Sequence, residues 1–252
     1  MTDPSAIVTG GASGIGAATA RALTARGHHV VIGDIDEVGG RGVADEIGGT
    51  FAQLDVADPV AWDAVVDQHG PFGVAVLNAG IGTGHPVADD SIPVVDLPNG
   101  AYRRIMGINV DGVVFGTRAV LPAMLDAAAG DIVVTASLAG LAPFSRDPVY
   151  ALTKHAVVGF VRSMAGALDG HGVAMSAICP GFTATNLVSP DARARIVALG
   201  LEIMSADDVA AVVVRSLEER VNGAQWVIWP GQEPHRYEWA LPVDFPEAVT
   251  RP

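Results

Sequence analysis

The chain has 252 residues, half of them apolar and only 17% charged, and carries a net charge of −13. That balance argues against nucleic acid and anionic membranes as partners, which need clustered Lys and Arg, and the single cysteine, Cys179, allows no intramolecular disulfide. Ordinary soluble domains are about 25% charged, so the shortage predicts surface covered by further copies of the chain, a homo-oligomer of dimer or tetramer size.

Apolar strand-like runs alternate with helical patterns throughout, which predicts βαβ units in an α/β fold, one doubly wound parallel sheet with helices on both faces. The first strand, Ala6-Ile7-Val8-Thr9, enters Gly10-x-x-x-Gly14-x-Gly16 and leaves as a good helix former over residues 17–23. Glycine reaches backbone conformations closed to other residues, and N–H groups at a helix start attract anions. The segment therefore reads as a dinucleotide phosphate turn. A second strand, His28-His29-Val30-Val31-Ile32-Gly33, ends in Asp34, twenty residues past Gly14. A carboxylate there can accept hydrogen bonds from adenosine ribose hydroxyls; alternatively Asp34 or Asp36 caps the helix that starts near Glu37. Asp34 would repel a 2′-phosphate, and neither Ser13 nor Ile35 is cationic, so NAD is expected over NADP.

Strands are expected near residues 5–9, 29–33, 51–54, 73–77, 131–136, 173–178 and 225–229, and helices near 14–26, 37–47, 58–69, 101–127 (in one piece or two), 148–168 and 205–219. Uncharged stretches such as residues 70–88 are broken by Pro and Gly, so none reads as a membrane span. Met1-Thr2-Asp3-Pro4 lacks the basic start of a signal peptide, and a cytoplasmic location is expected. Ser205-Ala206-Asp207-Asp208 resembles a capping box, with Asp in place of Glu.

The helix at 148–168 carries Tyr150-Ala151-Leu152-Thr153-Lys154, with Ser137 thirteen positions upstream of the tyrosine. A phenol and an ammonium four residues apart project from one helix face. Lowering a tyrosine from about 10 to about 7 requires roughly 4 kcal/mol. An ammonium about 4 Å away, at an effective dielectric near 20, supplies on the order of 4 kcal/mol. The pair can therefore make Tyr150 a general acid/base, with Ser137 as a hydroxyl donor beside it. Val157, Val161, Met164 and Leu168 on the same helix form an apolar stripe that belongs to the core. Cys179 reads as a small buried apolar residue.

With these motifs in order, the chain resembles the short-chain dehydrogenase/reductase family over roughly residues 5 to 230. Thr9-Gly-x-x-x-Gly-x-Gly16 matches its cofactor turn, which brings in Gly10, Ser13, Gly14, Ile15 and Gly16. Asp34 and Ile35 fall at the ribose position, and Asp55-Val56 at the pair placed near the adenine. Asn78-Ala79-Gly80 matches the motif that ends the fourth strand. Pro180-Gly181, with Thr183 and Thr185, matches the segment that contacts the nicotinamide carboxamide. Asn109, Ser137, Tyr150 and Lys154 match the four catalytic positions, the last two also as cofactor contacts.

The resemblance implies a single Rossmann-type domain over residues 1–252 that interconverts an alcohol and a carbonyl with NAD. Ser137 would hold the substrate oxygen and Tyr150 would take the hydroxyl proton. Lys154 would bind the nicotinamide ribose and lower the tyrosine pKa, and Asn109 would hold a water on the proton path. The glycine turn, Asp34, Asp55, Asn78, Ser137 and Pro180-Gly181 each follow an expected strand end, where open α/β sheets bind ligands.

Two other chemistries fail on spacing. A G-x-S-x-G elbow is broken at Ile15, and no His-x-x-x-His or Cys-x-x-Cys pair offers a metal site. A non-catalytic NAD-binding or sensing protein on the same fold remains the alternative.

Substrate contacts are expected from residues 83–100, 138–149 and a loop at 182–204, which supply Leu138, Pro143, Phe144, Val149, Phe182, Leu187, Ile203 and Met204. Few fixed cations lie there, so an apolar secondary alcohol or ketone fits better than a phosphorylated sugar; the same residues could equally pack a lid. The connection from Gly80 to Asn109 is long and contains Pro86, Pro93 and Pro98. The tail over 230–252 is proline-rich and expected to be irregular, with Tyr237, Trp239 and Phe245 available to cover a pocket or a neighbouring subunit.

Overall fold

A computed structural model describes residues 5–84 and 92–240; the expectations placed on Pro86 and Phe245 lie outside them. Seven parallel strands form the sheet: β1 (Ala6–Thr9), β2 (Val30–Asp34), β3 (Thr50–Gln53), β4 (Val74–Leu77), β5 (Gly130–Thr135), β6 (Val173–Pro180) and β7 (Gln225–Ile228). An eighth, β8 (His235–Arg236), pairs antiparallel with β7, giving the order β3-β2-β1-β4-β5-β6-β7-β8. This short strand corrects the expected seven. It lies in the tail expected to be irregular, where Tyr237 N–H reaches Gln225 O at 2.8 Å and the Trp239 indole N–H donates to Gln225 Oε1.

Both faces of the sheet are covered, so the strands read as continuous apolar runs. Successive side chains alternate between the faces. On one face Ala6, Val8, Val30, Ile32, Val74 and Val76 pack with Ala17, Ala20 and Leu23 of α1 (Gly14–Thr24), Val43 of α2 (Glu37–Ile47), and Val209, Val212 and Val213 of α8 (Ala206–Glu219). On the other, Ile7, Ala75, Leu77, Ile132, Val134 and Ala177 meet α3 (Pro59–His69), α5 (Gly112–Asp126) and α6 (Pro148–Ala167). Fully burying each such Val, Leu or Ile is worth roughly 1.5–3 kcal/mol. The expected stripe Val157, Val161, Met164 and Leu168 joins this second cluster. The box at Ser205 also forms: its hydroxyl accepts the Asp208 N–H at 3.1 Å while Asp208 accepts the Ser205 N–H at 3.0 Å.

The stretch expected as a helix in one piece or two is α4 (Asn99–Met106), a π turn over Gly107–Asp111, then α5. The whole helix, Asn99–Asp126, is long and apolar enough to cross a membrane by length and composition. Its residues Ile105, Asn109, Val113, Thr117, Val120 and Met124 are nevertheless buried inside the α/β layers. The loop at 182–204 contains an unforeseen helix, α7 (Pro190–Ala198), started by Ser189, whose hydroxyl accepts the Ala192 N–H. Its base is closed by a parallel bridge between Thr183 and Met204.

Winding runs outward from β1 to β3, returns to β4 beside β1, and continues the other way. The crevice therefore opens at the carboxyl ends of β1 and β4, the switch point where ligands bind in such sheets.

Candidate active site

The glycine turn folds as its composition requires. Gly10 and Gly14 hold φ of +64° and +53°, a region costly for a residue with a Cβ. A Cβ on Gly16 would sit 2.2 Å from Gly10 O, and one on Gly10 2.9 Å from the α-carbon of Ala79. Ser13, exposed at the start of α1, makes no side-chain cap bond. The first-turn N–H groups thus keep no side-chain partner and suit a diphosphate. Thr185 reaches the same place, its methyl 3.1 Å from where a Gly14 Cβ would lie.

Asp36, not Asp34, caps α2, accepting the Gly39 N–H at 3.0 Å. Asp34 instead accepts the Ala12 N–H at 2.9 Å and the Asp36 N–H at 3.0 Å. Asp34 is therefore not the cap of α2. Two backbone donors fix a carboxylate beside the glycine turn, and its remaining lone pairs are available to ribose hydroxyls. Ile35 next to it is largely exposed and uncharged.

Ser137 follows β5, and its hydroxyl oxygen accepts the Ala139 N–H at 3.1 Å, which leaves its O–H to donate. It lies close enough to the Tyr150 phenol to favour its ionised form. Phe144 packs edge-on against the Tyr150 ring, with centroids 6.2 Å apart. Lys154 is buried, its Nζ 5.6 Å from the Tyr150 ring centroid and donating to Thr135 O at 2.8 Å. A Cβ on Gly80 would lie 3.4 Å from Lys154 Nζ and 3.5 Å from Asn109 Oδ1. Strand ends scattered over 170 residues of sequence between Gly10 and Pro180 are thus brought to one edge.

A family model described as short chain dehydrogenase matches residues 4–196. The chain belongs to the short-chain dehydrogenase family. It is 32% identical to (+)-borneol dehydrogenase 1 of Salvia officinalis over 220 residues, 81% of this chain and 83% of that one. It is 37% identical to a 3-alpha-(or 20-beta)-hydroxysteroid dehydrogenase of Mycobacterium bovis over 186 residues, 71% and 69% of the two chains. Its fold superposes with a TM-score of 0.81 on 3-ketoacyl-(acyl-carrier-protein) reductase from Brucella melitensis complexed with NADH, at 25% identity over 90% of this chain and 97% of that one. This short-chain dehydrogenase is accordingly an oxidoreductase acting on CH–OH groups of a small molecule with a nicotinamide cofactor, and its glycine turn and Asp34 fit that group.

Several site residues turn out to work differently from their expected parts. The Asn78 amide is spent on strand ends, donating to Thr9 O at 3.0 Å and Gly10 O at 3.4 Å and accepting from the Thr135 hydroxyl at 3.0 Å. It shapes the rim. Asn109 lies in the π turn and grips Ile81 on both sides, accepting its N–H and donating to its carbonyl, each at 2.9 Å. Its other amide hydrogen goes to Thr153 Oγ1 at 3.0 Å, and Thr153 in turn donates to Tyr150 O at 2.7 Å. Asn109 is therefore a brace under the tyrosine turn, its side chain bonded to Ile81 and Thr153.

Val56 is buried against Gly112, so Asp55 is the exposed member of its pair. Pro180 ends β6, Gly181 N–H bonds Ile228 O at 2.9 Å, and buried Thr183 donates to Gly181 O at 3.2 Å. Val149 and Met204, expected at the substrate, are buried, and Met204 joins the core cluster beneath α8.

Burial pushes the Tyr150 phenol up to about 12, with the nearby Ser137 hydroxyl opposing the rise and the Asp147 and Cys179 charges adding to it. Burial also lowers Lys154 to about 8. Cys179, buried beneath the pair, is pushed up to about 12, which fits its expected inert role.

Proposed function

We propose that this dehydrogenase oxidises apolar secondary alcohols, and reduces the matching ketones, with NAD and with Tyr150 as the acid/base. The meeting of Ser137, Tyr150 and buried Lys154 at the end of β5 carries the reading, with Lys154 Nζ 5.6 Å from the Tyr150 ring centroid. When bound, the oxidised dinucleotide supplies the hydride acceptor and a positive ring charge. Gly10, Ser13, Gly14, Ile15, Gly16 and Thr185 would hold its diphosphate side, and Asp34 its adenosine ribose. Asp55 would face the adenine, Ala79, Gly80, Pro180, Gly181 and Lys154 the nicotinamide half.

Ser137, oriented by Ala139 N–H, donates to the substrate oxygen and fixes it. Tyr150 accepts the hydroxyl proton in oxidation and returns it in reduction. At neutral pH a phenol raised to about 12 is an acid, so reduction is favoured there and oxidation gains as pH rises. Lys154 offsets the phenolate charge while Asn109 and Thr153 keep the helix turn in place.

Half-buried Leu138, Phe144 and Phe182 and exposed Leu187 support an apolar substrate, as do relatives named for borneol and hydroxysteroids. A panel of (+)-borneol, a 3α-hydroxysteroid and a sugar phosphate with NAD⁺, followed at 340 nm, tests the proposal. Turnover of the apolar alcohols alone is expected. Intact NAD⁺ binding with no turnover of any member would favour the sensing alternative instead.

The same proposal includes a homo-oligomer. Val114 and Leu125 on α5 and Leu152 on α6 are exposed apolar residues on neighbouring helices, and the charged fraction is 17%. Light scattering at micromolar concentration is expected to give a dimer or tetramer; a 25.8 kDa particle would exclude it.

A further inference from the structure

We propose that Asp147 is a positioning residue of the reaction centre, fastening the loop that leaves β4 to the helix turn that presents Tyr150. The inference rests on the reading of Tyr150 as acid/base. Asp147 is the N-cap of α6, where Oδ1 accepts the Tyr150 backbone N–H at 2.9 Å. Its other oxygen accepts twice from Thr83, the N–H at 3.0 Å and the hydroxyl at 2.8 Å, across 64 residues of sequence. A serine would cap the helix equally well. Only a carboxylate has two oxygens that can serve three donors in two directions.

The loop so held lies at the reacting groups. Gly80 sits beside Lys154, and Asn109 grips Ile81 from the other side. A Cβ on Gly82 would touch both Asp147 Oδ2 at 3.7 Å and Leu187 Cδ1 at 3.8 Å. Asn109 and Asp147 therefore clamp residues 81–83 between the helix of Tyr150 and the loop that carries Leu187. Tyr150 is reached from both clamps, through its backbone N–H by Asp147 and through its carbonyl by way of Thr153.

Asp147 also has an electrostatic effect that a plain cap lacks. The titratable groups facing the phenol are Asp147 and Lys154 on its own helix and Cys179 on β6, with the neutral Ser137 hydroxyl completing the set. Asp147 opposes formation of the phenolate and Lys154 favours it. The carboxylate thus adds to the burial that holds Tyr150 in its acid form.

The test uses Asp147→Asn and Thr83→Val in the full chain, with tyrosine labelled at ¹³Cζ. The three tyrosines, Tyr102, Tyr150 and Tyr237, give separable resonances, and Tyr150→Phe identifies the one needed. In Asp147→Asn the onset of the Tyr150 titration is expected about one pH unit lower, as loss of a nearby charge requires. In Thr83→Val it should stay in place, because the charge remains. Both variants should speed amide exchange of residues 81–83 at least severalfold.

An unmoved Tyr150 titration in Asp147→Asn, or unchanged exchange in both variants, would overturn the role of Asp147. Should Asp147→Asn fail to fold, exchange in Thr83→Val decides alone, and wild-type protection there overturns it. Normal turnover by Tyr150→Phe is a different failure, since it removes the acid/base reading and leaves the clamp measurements standing.

Discussion

Tyr150→Phe should bind NAD within a few-fold of the wild type and turn over at least about a hundredfold more slowly, the range lost with a general acid/base. The substitution removes one oxygen and little else. The ring keeps its edge contact with Phe144, and the backbone keeps its bonds to Asp147 and Thr153. Only the phenolic oxygen near Ser137 is lost, so thermal melting should stay close to that of the wild type. Single-turnover kinetics separate the chemical step from binding. The pH profile adds a sign. A phenol held at about 12 by burial makes oxidation climb with pH across the stable range while reduction stays level, and the variant should lose that dependence. A variant with near-normal rate and an unchanged profile would eliminate Tyr150 as the proton carrier.

Asp34→Ala should shift cofactor choice, raising the ratio of kcat/KM for NADP over NAD by roughly tenfold or more. Hydrogen bonds to a charged acceptor contribute about 1.5–3 kcal/mol each, and an NAD ribose would lose them while a 2′-phosphate would escape repulsion. Most of the change should appear as weaker NAD binding, because no cation stands nearby: Ile35 is exposed and neutral. Adding Ile35→Arg to Asp34→Ala should then raise NADP activity in absolute terms. The ratio is measured from initial rates with both cofactors on one substrate. If it does not move, Asp34 serves only its bonds to Ala12 and Asp36.

The sheet and its cofactor edge were readable because their determinants are local. Alternating apolar runs mark the strands, and Gly10, Gly14 and Gly16 are demanded by a turn too tight for a Cβ. The helix of Tyr150 announces itself through Asp147-Pro148, a cap followed by proline at the first helical position. What escaped notice depends on groups that sequence does not display. Lys154 turns to a backbone carbonyl, that of Thr135, and every residue has a carbonyl. The burial that raises Tyr150 is set by the tertiary fold, so a pairwise estimate of lysine and phenol does not include it. Asn109 stood out by its motif, but its bonds run to Ile81 and Thr153, partners fixed only by the tertiary fold. β8 was hidden because prolines around a two-residue strand look irregular, although an edge position tolerates them.

The bonds from Asn78 to Thr9, Gly10 and the Thr135 hydroxyl lock three neighbouring strand ends at a set separation. The cleft between β1 and β4 is consequently rigid before anything enters it. Little ordering entropy is then spent at that rim on association. The adjustable part of recognition is left to the Thr183–Met204 excursion, which can vary with the guest while the dinucleotide floor stays the same.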